Sequence, residues 1–95
     1  MNRKIPVISL EDFQAKLKKP LMMKTLVANI AEGINEDLES VNIAEIKNHN
    51  VIITVSKSEW KGGLENAMNY YIENEEYEEC SRIKKLIKKL QKNKN

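Results

Sequence analysis

The chain has 95 residues, of which 41% are hydrophobic and 32% charged, and its formal net charge at pH 7 is +2. This length predicts one small domain with a thin core over residues 1–95. No apolar run approaches the roughly 18 residues of a membrane span, and so small a net charge does not by itself favour nucleic acid. Because the N-terminus lacks a signal-peptide pattern and the single cysteine, Cys80, cannot form an internal disulfide, we expect a cytoplasmic protein.

The chain begins with a short β-branched segment, Ile5–Ile8, that predicts a strand. Pro6 lacks the N–H group that a central strand requires, so this strand would lie at a sheet edge. Ser9 and Asp12 have the spacing of a capping box and predict the start of a short helix. The apolar residues of that helix would share one face: Leu10, Phe13 and Leu17.

The segment from 21 to 34 carries a broad apolar stripe at steps of three and four residues, which predicts a second helix. Its apolar residues are Met22, Met23, Leu26, Val27, Ile30 and Ile34. Gly33 is either the C-cap of this helix or an interior glycine that costs about 1 kcal/mol relative to alanine. The next apolar residues predict a helical continuation or a short separate helix: Leu38, Val41, Ile43 and Ile46.

Residues 47–50 have the composition of a turn, and residues 51–55 (VIITV) form the clearest strand candidate because all five are β-branched. Such a strand needs a neighbour. We consider Ile5–Ile8, or the same strand of a second chain, which would form a dimer through an unpaired edge.

Residues 56–63 form either a connection or the start of a helix. Ser56 and Glu59 have capping-box spacing, whereas Gly62 and Gly63 weaken a helix start unless they allow close packing against the backbone. Trp60 is either a core residue or an exposed interface anchor, because tryptophan is frequent at binding hot spots.

Residues 64–92 show two amphipathic halves separated by the acidic link Glu73–Glu76. Within each half the apolar steps are three or four, which predicts two antiparallel helices forming a hairpin, with Asn74 as the turn residue. Adjacent residues on a helix point about 100° apart, so we expect Tyr71 inside the apolar seam and Tyr70 outside it.

This pattern resembles the UVR motif, the helical hairpin by which excision-repair subunits of the UvrB and UvrC type dock, and which recurs in partners of the Clp protease. The matching positions are Leu64, Met68, Tyr71, Tyr77–Glu78, Cys80–Ser81, Ile83, Lys84–Lys85, Ile87 and Leu90, without a gap. The chain departs from the family pattern in three places. Tyr71 replaces the usual Ala, Cys80–Ser81 replaces Ala–Ala, and Lys84–Lys85 replaces Arg–Asp. The resemblance implies protein docking rather than catalysis.

Together these patterns predict a mainly helical α+β fold with a mixed N-terminal segment, 1–55, and a C-terminal antiparallel hairpin, 64–92. The sequence shows no motif for a cofactor, a metal ion or catalysis. His49 is the only histidine and lies in the predicted turn. Cys80 lies on the apolar seam beside two glutamates that oppose thiolate formation. We therefore expect a protein that is not an enzyme and has no cofactor.

The function we expect is that of a small interaction module or adaptor that docks on another protein or on a second copy of itself through the hairpin. The candidate contact residues are Met68, Tyr70, Tyr77, Ile83, Lys84, Lys85, Ile87, Lys88 and Leu90, with Trp60 as a further anchor. An alternative is a nucleic-acid-binding regulator that uses the basic helix end from Arg82 to Lys94. A further alternative is a phage-encoded inhibitor of a host protein.

Overall fold

The computed structural model describes residues 5–11 and 20–92, and in that part of the chain the fold is mainly helical α+β. The elements are β1 (Val7–Ile8), α1 (Pro20–Glu36), β2 (Ser40–Ile46), β3 (Val51–Ser56), a short 3-10 turn (Lys57–Glu59), α2 (Trp60–Glu73) and α3 (Tyr77–Lys92). Leu10 and Glu11 are helical, as predicted. Asp12, Phe13 and Leu17 of that predicted helix lie outside the described residues.

The strands form one sheet in the order β1-β2-β3. β1 runs parallel to β2 and is an edge strand, as Pro6 predicts, and the Pro6 carbonyl accepts a hydrogen bond from the Glu45 N–H at 2.9 Å. β3 pairs antiparallel with β2. The expectation that β3 needs Ile5–Ile8 or a second chain as its neighbour was therefore wrong, because β2 lies between β1 and β3.

β2 corrects the helix predicted from Leu38, Val41, Ile43 and Ile46. Its register against β3 shifts between Asn42 and Ala44, which is the signature of a bulge. The extra residue changes which side chains face the core, so the buried positions are Val41, Ile43, Ala44 and Ile46. Interrupting the two-residue alternation in this way leaves apolar spacings that resemble those of a helix.

α1 covers the sheet with the apolar stripe that predicted it, from Met22 to Ile34. Gly33 is buried inside α1 and has a negative φ, so it is not the left-handed C-cap. A Cβ atom at Gly33 would lie 2.8 Å from Trp60 Cη2 and 2.7 Å from Val41 Cγ1. The glycine therefore permits close contact between α1, β2 and the start of α2.

α1 and α2 end in the same way, with a non-glycine residue at positive φ. At the end of α2 this residue is Glu75, at φ 58°, and it follows Asn74, which lies in the turn as predicted. The Glu76 N–H donates to the Tyr71 carbonyl at 2.8 Å and the Glu75 N–H to the Ile72 carbonyl at 3.0 Å. The chain then enters α3 at Tyr77.

α2 and α3, which we call the helix pair, pack on each other and on α1. The buried residues of the pair include Trp60, Leu64, Ala67, Tyr71, Cys80, Ile83 and Leu90. The Cys80 thiol donates to the Met68 carbonyl at 3.7 Å. Within the described residues, no helix has both the length and the apolar character required to cross a membrane.

Candidate functional site

A groove of about 610 Å³ runs between β3 and α2, and we call it the β3–α2 groove. Its floor is apolar, because Met23 and Leu26 of α1 lie beside Ile43 of β2. Ile53 and Val55 continue this apolar surface along β3. Ligand sites commonly occupy about 300–1,000 Å³ and are mainly apolar with a few polar groups, so this groove is the candidate site.

The opposite wall is the polar side of α2. The residues that line it recur at helical steps of three or four, from Asn66 to Asn69 or Tyr70 and then to Glu73. Asn66 and Tyr70 each directly precede a residue of the stripe that α2 buries, Ala67 and Tyr71. Tyr70 is half-buried, and its ring meets that of Tyr71 edge to face, with centroids 5.1 Å apart. Because Tyr71 is held in the core, this contact limits the positions open to the Tyr70 ring.

The charged side chains that line the groove are both acidic, Glu59 and Glu73. Glu59 lies where the chain passes from β3 into α2, and Glu73 is the last residue of α2. The Glu59 carboxylate accepts hydrogen bonds from the Ser56 N–H at 3.3 Å and the Ser56 hydroxyl at 3.0 Å, in the predicted capping arrangement. The groove therefore favours cationic over anionic groups near its ends.

A smaller recess lies on the other side of α2, where Tyr71 meets Glu76, Glu79 and Arg82. Burial raises the pKa of the Tyr71 phenol above its ordinary value, and the carboxylates of Glu79 and Glu76 raise it further. The positive charge of Arg82 lowers the pKa of Tyr71 and so partly offsets this rise. The phenol is thus neutral at physiological pH and is a core group rather than a base.

The apolar contact residues predicted on the hairpin mostly lie inside the molecule. Ile83 has no exposed surface and Leu90 is 9% exposed, so both join α3 to the core. Met68 and Ile87 are half-buried against the same core cluster. Trp60 is fully buried, and its indole N–H donates to the Val55 carbonyl at 2.9 Å. We therefore assign Trp60 to the core, because a side chain without exposed surface is not an interface anchor.

The remaining predicted residues are accessible but lie in different places. Tyr70 lines the β3–α2 groove, whereas Tyr77 is 61% exposed at the start of α3. Lys84, Lys85 and Lys88 are exposed along α3. The structure thus brings Tyr70 together with groove residues and leaves the lysines on a separate, basic face of α3.

Several groove residues were missed by the sequence interpretation, among them Thr54, Asn66, Asn69 and Glu73. Each is a polar residue on an exposed position of an amphipathic element, which is the commonest place for such a residue. No local pattern separates them from ordinary surface residues. Only the approach of α2 to β3 brings them together.

Within the described part of the chain, no group of three or more His, Cys, Asp or Glu side chains is placed to hold a metal ion. His49 is exposed in the β2–β3 turn. Comparisons with family models, with curated proteins and with solved structures give no match.

Proposed function

We propose that this chain is a small protein–protein interaction module whose partner lies in the β3–α2 groove. The observation that carries the proposal is the apolar floor of the groove between two walls with polar groups, beside the half-buried Tyr70 ring. Tyrosine beside a partly desolvated apolar surface is typical of binding hot spots. The resemblance of residues 64–90 to a docking motif supports the same class of function, since α2 provides one wall of the groove.

The core of the molecule supports a binding role over a purely structural one for this surface. Trp60, Leu64 and Ile83 already close α1, α2 and α3 on each other without using the groove. A partner that covers Ile53, Val55 and Tyr70 would therefore remove apolar surface from water, at about 25 cal/mol per Å², without opening the core. We propose that this binding occurs in the cytoplasm, where the buried free thiol of Cys80 remains reduced.

A second candidate is nucleic-acid binding by the basic face of α3. The observation that favours it is that Lys84, Lys85 and Lys88 are exposed, while the acidic residues of α3 are confined to its first turn. Phosphate binding of this kind would weaken steeply as the salt concentration rises. The same charges also complement the helix dipole, since Lys89 and Lys92 lie in the last turn.

Site-specific photocrosslinking in the native cells separates the two candidates. A benzoylphenylalanine replaces Asn69 in the groove, and the matched control replaces Lys88 on α3; both positions are exposed. We expect discrete protein adducts from position 69 that disappear when Tyr70→Ala is added, and no such adducts from position 88. Adducts from position 88 alone that nuclease treatment removes would replace the proposal with the second candidate. Equal adducts from both positions would refute it.

A further inference from the structure

The outer edge of β3 offers free backbone groups beside the groove. The Lys57 N–H donates to the Glu39 carbonyl at 2.8 Å, which sets the alternation of the antiparallel ladder. Counting back from Lys57, residues 55, 53 and 51 turn their backbone groups toward β2, and Ile52 and Thr54 turn theirs outward. In the described part of the chain, no strand pairs with this edge.

The two edges of the sheet differ in how they are protected. The β1 edge is two residues long and is preceded by Pro6, which cannot donate to a neighbouring strand. β3 is six residues long and carries neither a proline nor a charged residue. Exposed edges normally carry such residues because they oppose pairing with other chains. The absence of these residues from β3 favours a role in pairing.

The groove lies where the side chains of an added strand would project. Side chains alternate between the two faces of a sheet, and Ile53 and Val55 point to the face on which α1 and α2 lie. Residues of an added strand that pair with Ile53 and Val55 would point the same way, over the floor formed by Met23 and Leu26. Alternate residues of the occupant therefore need apolar side chains.

The charged residues of the groove further limit which partner segments fit it. Glu59 and Glu73 are the charged residues that line the groove, and neither has a salt bridge to a basic side chain of the described residues. Building on the proposed function, we propose that the groove binds an extended segment of a partner protein. This segment adds as a strand to the outer edge of β3, with apolar side chains at alternate positions and a lysine or arginine next to Glu73.

A second copy of this chain fits the groove less well than a basic segment. The residues from Val51 to Ser56 carry no charge, so a β3 strand from another copy would leave Glu73 without a cationic partner. The next basic residue, Lys57, is already bound to Asp37 at 3.2 Å. A basic partner segment would form hydrogen bonds with the outward backbone groups of β3 and would also place a cation beside Glu73.

The test uses the full chain and two synthetic peptides, Ac-KVTVTVK-NH2 and Ac-EVTVTVE-NH2, in NMR titrations of the backbone amides. We expect the basic peptide to shift and protect the amides of Ile52 and Thr54, and to bind at least tenfold more tightly than the acidic peptide. A basic peptide that is N-methylated at alternate residues, on the amides that would pair with β3, should lose this binding.

Two variants keep the result independent of folding. Glu73→Lys should abolish the preference between the two peptides, because Glu59 still favours a cation near one end of the groove while the substituted position repels one near the other end. The helix dipole favours a cation at this last residue of α2, so the fold is retained. Thr54→Pro removes an outward N–H and leaves the backbone pairing with β2 in place, although it also removes the exposed hydrogen bond from the Thr54 hydroxyl to Asn42 Oδ1 at 3.0 Å. It should abolish binding of both peptides. The matched control, Lys88→Glu on α3, should leave both affinities unchanged.

Three results with the unsubstituted chain would overturn the inference: equal affinity for the two peptides, NMR shifts centred on α3, or no shift of the Ile52 and Thr54 amides at millimolar peptide. A dimer in light scattering, combined with Ile52 and Thr54 amides that NMR shows to be protected without peptide, would also overturn it. Crosslinking from position 69 is independent of strand addition. If it still yields a protein adduct, the proposed function stands and only the extended, basic nature of the partner segment is wrong.

Discussion

Replacing Gly33 with alanine tests the packing between α1, β2 and α2. A Cβ atom at this position would lie 2.7 Å from Val41 Cγ1 and 2.8 and 2.9 Å from two ring atoms of Trp60. Trp60 is fully buried and its indole N–H is bound to Val55, so the ring cannot move away without breaking that bond. Overpacking of this kind costs about 1–3 kcal/mol, against a gain of about 1 kcal/mol from the better helix propensity of alanine.

Gly62→Ala is the matched control, because a Cβ atom there would meet nothing within 4 Å and α2 should gain about 1 kcal/mol. We expect Gly33→Ala to be less stable than Gly62→Ala by about 1–3 kcal/mol in urea unfolding, which corresponds to a difference in Tm of at least about 4 °C. Adding Val41→Ala to Gly33→Ala should recover part of the loss by removing the shortest contact. Equal gains in stability from Gly33→Ala and Gly62→Ala would mean that Val41 and the Trp60 ring do not lie within 3 Å of the Cβ position at Gly33.

Three further substitutions test the ends of the helices and the core. Glu75→Gly should raise the free energy of unfolding by about 0.5–1 kcal/mol in urea denaturation, because glycine adopts the φ of 58° without strain, and a loss would contradict this account of the turn. Because the folded-state pKa of Tyr71 is raised, its contribution to stability is complete below the ordinary value of 10.0 and falls as pH rises toward the folded-state value. Tyr71→Phe should therefore flatten the decline in thermal stability above pH 10.0, whereas Tyr77→Phe, at a 61% exposed position, should leave it unchanged. Ile83→Ala should cost about 2–5 kcal/mol in urea denaturation and Lys84→Ala less than about 0.5 kcal/mol; equal small effects would mean that Ile83 is not a core residue.

The sequence predicted those helices and strands that are specified by residues close to one another in the chain. The apolar stripe from Met22 to Ile34 predicted α1, and the β-branched run from Val51 to Val55 predicted β3. The spacing of Ser56 and Glu59 predicted a capping box, which the structure confirms. Helical periodicity, β-branching and capping act over a few residues, so they can be identified without knowing the neighbours in space.

β2 shows where this kind of inference fails. One extra residue near Ile43 shifts the pairing and interrupts the two-residue alternation, so the buried positions imitate helical spacing. A bulge is specified by the partner strand and by the surface it must cover, not by the composition of the bulged strand. The turn after α2 contains Asn74, as predicted, but the sequence did not indicate that Glu75 takes the left-handed conformation there.

By itself, the sequence determined a small, mainly helical α+β chain and the positions of α1, β3 and the two amphipathic C-terminal helices. The tertiary structure decided what each apolar residue contacts. It buried Trp60 against Gly33, residues that are far apart in the chain, and it left the outer edge of β3 open beside α2. The physical reason is that periodicity fixes which face of an element is apolar, whereas the area that neighbouring elements cover depends on their relative placement. The β3–α2 groove depends on that relative placement, because its two walls come from different elements, β3 and α2.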